Sequence, residues 1–195
     1  MKKSVFFVFA AGVLISGVFS GCANRKNADE NFVSEEINSY KTKIGEKLEA
    51  GFLEAEIFYY PAVDMSGNGA VFRASDYEFH LEADISAGEN NLGFAPGSFV
   101  PYLTVEYEIK SNTKGKIAAA GTLMVLNSKD GPHYGANVRP IPADSYSVTL
   151  KIHSPEEQFY LLEKSGEAAV EGSFAEYWTT ETLNVSWNEW NYKNE

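Results

Sequence analysis

Three observations predict an all-β chain folded as an immunoglobulin-like antiparallel β-sandwich. After Gly51 apolar residues recur at every second position in about seven short stretches. Those stretches are separated by clusters of Gly, Pro, Asn and Asp. The roughly 174 residues that follow an N-terminal apolar segment amount to one domain, long enough to bury a core and without an internal repeat.

In chain order, residues 1–21 read as a lipoprotein signal peptide. Lys2 and Lys3 precede a mainly apolar run from Val5 to Phe19, which ends at small residues before Cys22. The run is too short for a convincing spanning helix. Cys22 is the only cysteine, which excludes an intrachain disulfide, and its place directly behind "FSG" makes it the expected lipid acceptor. Residues 22–50 are expected to be a tether followed by a short amphipathic helix: 23–34 are polar and unpatterned, and Val33, Ile37, Tyr40, Ile44 and Leu48 share one helix face.

Residues 51–195 form the predicted sandwich. "AEIFYY" (55–60) opens it, and "EFHLEADIS" (78–86) turns Phe79, Leu81, Ala83 and Ile85 inward with His80, Glu82, Asp84 and Ser86 opposite. "VPYLTVEYEIK" (100–110) and "YSVTLKIH" (146–153) alternate in the same way. "IAAAGTLMVL" (117–126), "QFYLLE" (158–163) and "TLNVSW" (182–187) are the remaining expected strands, and Trp178, Trp187 and Trp190 are expected in core and interface surface.

The formal charge is -11, and it becomes -13 when Lys2 and Lys3 leave with the signal. Such acidity disfavours a nucleic-acid partner, which needs a basic surface. It suits cation binding and solubility without selecting either.

The chemistry concentrates on histidine, of which there are three. His80 and Glu82 stand two apart on one strand face, about 7 Å from each other; they are half of a metal site, but taken alone they read first as an ordinary solvated strand face. "SKDGPHYGANV" (128–138) holds His133 behind Gly131 and Pro132, a turn expected to fix the direction of its imidazole. His153, at a strand end before Ser154 and Pro155, reads as a surface residue.

"PAVDM" (61–65), "FHLEADISA" (79–87), "FVPYLTVEYEI" (99–109) and "DGPHYGANV" (130–138) occur in an order that resembles the periplasmic high-affinity Fe2+ transport accessory proteins, the family that includes the treponemal metal-binding lipoprotein type. The resemblance covers most of residues 55–190. It implies an immunoglobulin-like sandwich, often a homodimer, that binds a transition metal near the dimer interface and serves ferrous-iron uptake beside an inner-membrane permease. Carried onto this chain, the family's metal ligands are His80, Glu82 and His133. A further methionine of the family falls on Leu126, with Met124 two residues earlier on the same strand face. A last histidine falls on Glu163 when aligned on "AAV" (168–170). Two imidazoles with carboxylates from Glu82 and Glu163 would suit Fe2+, Mn2+ or Zn2+ better than Cu(I), with Cu2+ also admissible; alternatively Met124 swings in, or the site has lost affinity.

Asp84, Asp130 and Tyr134 are expected either to orient an imidazole through its other nitrogen or to serve turn and strand structure only. Met65 reads as a buried side chain or part of a weaker second site. No nucleophile and base stand in a recognisable catalytic order and no phosphate-cradling loop is present, so an enzyme is not expected. The remaining rival is a lipid-anchored surface adhesion or host-protein-binding module.

Overall fold

The computed structural model describes residues 40–193. The signal peptide, Cys22, the tether, and Val33 and Ile37 of the expected helix lie outside the described residues. Where that helix falls inside them, the chain is strand: β1 (Thr42–Lys43) and β2 (Leu48–Ala50) both pair with β3 (Leu53–Pro61). Gly45 and Gly51, both with positive φ, break the helical period between and after these segments. The sheet therefore starts before residue 51, where the domain was expected to begin.

Beyond β3 come a small hairpin, β4 (Met65–Gly67) and β5 (Ala70–Phe72), then β6 (Phe79–Ala87), β7 (Thr104–Ser111) and β8 (Ile117–Ser128). The chain continues through β9 (Gly131–Val138), β10 (Asp144–His153), a one-turn helix α1 (Phe174–Tyr177) and β11 (Thr182–Tyr192). Asn68 and Gly69 turn the small hairpin with both φ values positive, as a two-residue loop of this kind requires.

All pairings are antiparallel, in the order β1-β3-β6-β9-β8-β7-β10-β11. One strand makes this path a sandwich. The first part of β8, through Leu123, pairs with β7, and its last part, from Met124, pairs with β9, so β8 passes from one sheet to the other. The inward residues of the two sheets meet in one core: Ile57, Leu81, Ile85 and Tyr134 on one side, Val105, Ile109, Val148 and Leu150 on the other. Trp178, Trp187 and Trp190 are all in that core. The indoles of Trp187 and Trp178 donate to Glu46 O at 2.7 Å and Ile152 O at 2.9 Å.

Two expected local structures differ. "QFYLLE" is not a strand: Pro155 starts a 3-10 turn over Pro155–Gln158, and Phe159 leaves it in the left-handed region at φ 59°. The alternation still has meaning, because Tyr160 and Leu162 pack on the core while Phe159 and Leu161 are 88% and 84% exposed. "GPHYGANV" is not a loop but β9, lodged between β6 and β8; only Lys129 and Asp130 remain as the turn. Gly131 and Pro132 are tolerated because they are its first two residues.

Candidate metal centre

The site lies on the face of the β3-β6-β9-β8 sheet turned away from the core. Register sets it out in two rows. Tyr60, His80 and Asn137 are directly paired across β3, β6 and β9. Phe58, Glu82, Gly135 and Met124 are paired across β3, β6, β9 and β8. His133, two residues before Gly135 on β9, shares their face because strand side chains alternate. His80, Glu82 and His133 each offer a ligand atom, and these atoms lie within 4.8 Å of one another. Although this is the outer face, His80 and Glu82 are 0% exposed and His133 only 4%.

His80 is held in one tautomer. Val63 N–H donates to Asn137 Oδ1 at 3.2 Å and Asn137 Nδ2 donates to Val63 O at 2.7 Å, which fixes the amide's orientation. His80 Nδ1–H then donates to Asn137 Oδ1 at 2.9 Å, leaving Nε2 as the bare lone pair. That Nε2 is buried and has no hydrogen-bond partner. Burial also pulls the His80 pKa below the usual imidazole value, favouring the neutral form a metal requires. A Cβ at Gly135 would stand 2.4 Å from Nε2, so only glycine leaves this lane open.

A fully buried carboxylate needs compensation, and Glu82 has two donors. Tyr60 OH donates to Oε2 at 2.6 Å, and Lys41 Nζ pairs with Oε1. Lys41 also pairs with Asp130. Although burial works against the charge of both Lys41 and Asp130, their partners prevail: Asp130 and Glu82 together raise the lysine pKa, and Lys41 with Ser128 lowers the aspartate pKa. Asp130 accepts from Ser128 Oγ, which lies 3.5 Å from His133 Nδ1. His133 Nδ1–H donates to Gly131 O at 3.3 Å, which turns Nε2 toward Glu82 Oε2 at 3.5 Å. The two imidazole planes are nearly perpendicular, at 88°.

The other expected residues separate. Asp130 orients His133 only indirectly, through Ser128, and its main partner is Lys41. Asp84 lies one pleat beyond Glu82 on the same face; burial, then the charge of Glu82, pushes its pKa up to about 6. Tyr134 faces the core, where its hydroxyl donates to Val100 O at 2.8 Å and accepts from Leu103 N–H at 3.0 Å, so it orients neither imidazole. Met124 sits across Gly135 from Glu82, and Leu126, paired with His133, brings Cδ1 to 3.1 Å from the position a Gly135 Cβ would take. Glu163 is exposed in the connection between the 3-10 turn and α1 and is not among the grouped ligand atoms. His153 is also apart, 3.2 Å from Glu157. Sequence reasoning missed Lys41, Tyr60 and Asn137. Tyr60 is on β3 and Lys41 immediately precedes β1, whereas Asn137 joins the face of Gly135 and His133 only once 131–138 is a strand.

Ligand atoms about 2.0–2.2 Å from a tetrahedral ion stand about 3.4 Å apart. The His133–Glu82 separation already meets this, and His80 Nε2 needs only to close in. Two imidazoles and one carboxylate oxygen on one face suit Fe2+ with open positions, and Zn2+ equally.

The sequence model described as Fe2+ transport protein matches residues 39–194. The chain belongs to the Fe2+ transport protein family. Among the relatives, the 34 kDa membrane antigen of Treponema pallidum is 33% identical over 154 residues, 77% of this chain and 73% of the relative. A UPF0423 protein of Brucella abortus is 38% identical over 113 residues, 57% of this chain; the chain spans 62% of that relative's length. A copper-bound variant of Campylobacter jejuni P19 superposes with a TM-score of 0.69 at 32% identity, covering 78% of this chain and 98% of P19. FetP of uropathogenic Escherichia coli F11, in its as-isolated form after recombinant expression in the periplasm, gives a TM-score of 0.68 at 32% identity, covering 79% of this chain and 97% of FetP.

Proposed function

We propose that this protein binds a divalent transition metal, Fe2+ in first place, on the outer side of the cytoplasmic membrane and supports iron uptake as a carrier rather than a catalyst. The observation that carries the reading is His80 Nε2: a buried, unpartnered lone pair facing the lane kept open by Gly135, with His133 and Glu82 beside it. Buried polar atoms are rarely left unpaired, and an ion resolves this one. The family and the copper-bound P19 support a transition metal as the ligand, and FetP supports a periplasmic location.

The finer reading follows the same line. Cys22 carries a lipid anchor, an inner-membrane permease receives the iron, and the protein acts as a homodimer. Exposed Phe159 and Leu161, beside Glu163, support a second copy as the source of any contribution from Glu163. Leu126 in place of a thioether favours Fe2+, Mn2+, Zn2+ or Cu2+ over Cu(I).

Calorimetric titration of the purified protein with anaerobic Fe2+, and with Mn2+, Zn2+ and Cu2+, tests the reading. One saturable site per chain is expected, and His133→Ala should weaken it by more than about tenfold. No saturable site for any of these ions would end the metal reading and leave a surface-binding module.

A further inference from the structure

Lys41 is unusual for a residue beside a metal centre. Its side chain is 4% exposed, and its ammonium pairs with Glu82 Oε1 and with Asp130 Oδ2 at once. The rings of Phe58 and Tyr60 stand 5.9 and 5.7 Å from Nζ. Tyr40 packs edge-on against Tyr60 at 5.2 Å, so the segment entering β1 is seated over the site. β1 itself is held to β3 by only two residue pairs, Thr42 with Tyr59 and Lys43 with Phe58.

An ammonium donates hydrogen bonds and accepts none, so it takes up the carboxylate oxygens a dication would seek. It also repels a dication a few ångströms away, most strongly where water is excluded. With Lys41 seated, an ion can still reach His80 Nε2, His133 Nε2 and the Oε2 of Glu82, the oxygen nearer His133, whose remaining lone pair is not taken by Tyr60 OH. With the ammonium gone, Glu82 could chelate through both oxygens and Asp130 could join. That oxygen-rich set is the kind preferred by harder ions.

Resting on the metal-binding reading above, we propose that Lys41 is a specificity-determining residue: a tethered cation that occupies Glu82 Oε1 and Asp130, restricts an incoming ion to two imidazoles and one carboxylate oxygen, and so disfavours Mn2+ relative to Zn2+. The ion pair is a selectivity element as well as compensation for buried charge.

The test is titration of Mn2+ and Zn2+ into the wild-type protein, Lys41→Met and Lys41→Gln, and into each variant also carrying Asp130→Asn, with a thermal melt to establish folding. Mn2+ affinity should rise on the order of tenfold or more in both Lys41 variants. Zn2+ should gain less, and Asp130→Asn in the same chain should remove most of the Mn2+ gain. An unchanged or lower Mn2+-to-Zn2+ affinity ratio in the folded variants overturns the inference, as does a gain indifferent to Asp130→Asn. If only one Lys41 variant folds, that variant decides; if neither folds, Lys41 is structural and the inference falls. Wild-type protein that binds Zn2+ while the ratio stays fixed defeats this inference alone. Wild-type protein that binds neither ion defeats the metal reading and this inference with it.

Discussion

Gly135 shows how one missing methyl group makes the centre. Its hypothetical Cβ would lie 2.4 Å from His80 Nε2 and 3.0 Å from Cε1 of the same ring, well inside contact distance. Gly135→Ala must therefore push the imidazole or β9 aside. Zinc titration of this variant should show no saturable site, and its melting temperature should fall; binding at wild-type affinity would mean the lane is not where the ion enters. Asn137 acts one step back, since its amide holds His80 with Nδ1 protonated. Asn137→Ala should weaken zinc binding by about 10–100-fold, as is typical when a ligand's orienting partner is lost. Unchanged affinity would show that the ring is positioned by packing alone.

At the scale of elements, β9 explains both what the sequence makes legible and what it hides. Alternation in "FHLEADIS" correctly sets His80 and Glu82 opposite the core, because a period of two survives any sheet geometry. "DGPHYGAN" is read as a turn because Gly, Pro and Gly cluster there, yet Gly131 and Pro132 merely begin the strand and Gly135 makes room for an imidazole. Once 131–138 is a strand, His133 must face His80 and Glu82 and Tyr134 the core, which removes Tyr134 from the site. Lys41 stays hidden for another reason: Tyr40, Ile44 and Leu48 fit a helical period, while the true partner, β3, is paired through edge contacts that no local pattern reports. Tyr134 instead ties β9 to the 100–103 segment. Tyr134→Phe leaves Leu103 N–H and Val100 O without their partner, which should cost about 1–3 kcal/mol in denaturant unfolding. Zinc affinity should be preserved, because the lost hydroxyl lies on the other side of the strand.

The whole molecule separates two environments, a closed core on the inner faces of the sandwich and a charged, covered centre on one outer face. Tyrosines are buried in both, Tyr60 beside the outer centre and the others in the core, and this has a consequence for pH. Tyr60, Tyr107, Tyr134, Tyr146 and Tyr192 are all buried. Burial is the leading cause that raises each of their pKa values above the usual phenol value of 10.0. Below pH 10 these phenols are neutral in folded and unfolded chains alike, and their contribution to stability is fully present. Above it the unfolded chain releases protons that the folded chain retains, so stability is lost as pH rises toward the folded values. The five should therefore ionise together, as the fold opens, rather than one by one. Phenolate absorbance followed alongside far-ultraviolet circular dichroism through an alkaline titration should show a first phase from exposed tyrosines with the strand signal intact. A second, steeper phase should then coincide with loss of that signal. A titration in which all eleven tyrosines ionise near the ordinary value with the strand signal unchanged would contradict the burial of these side chains.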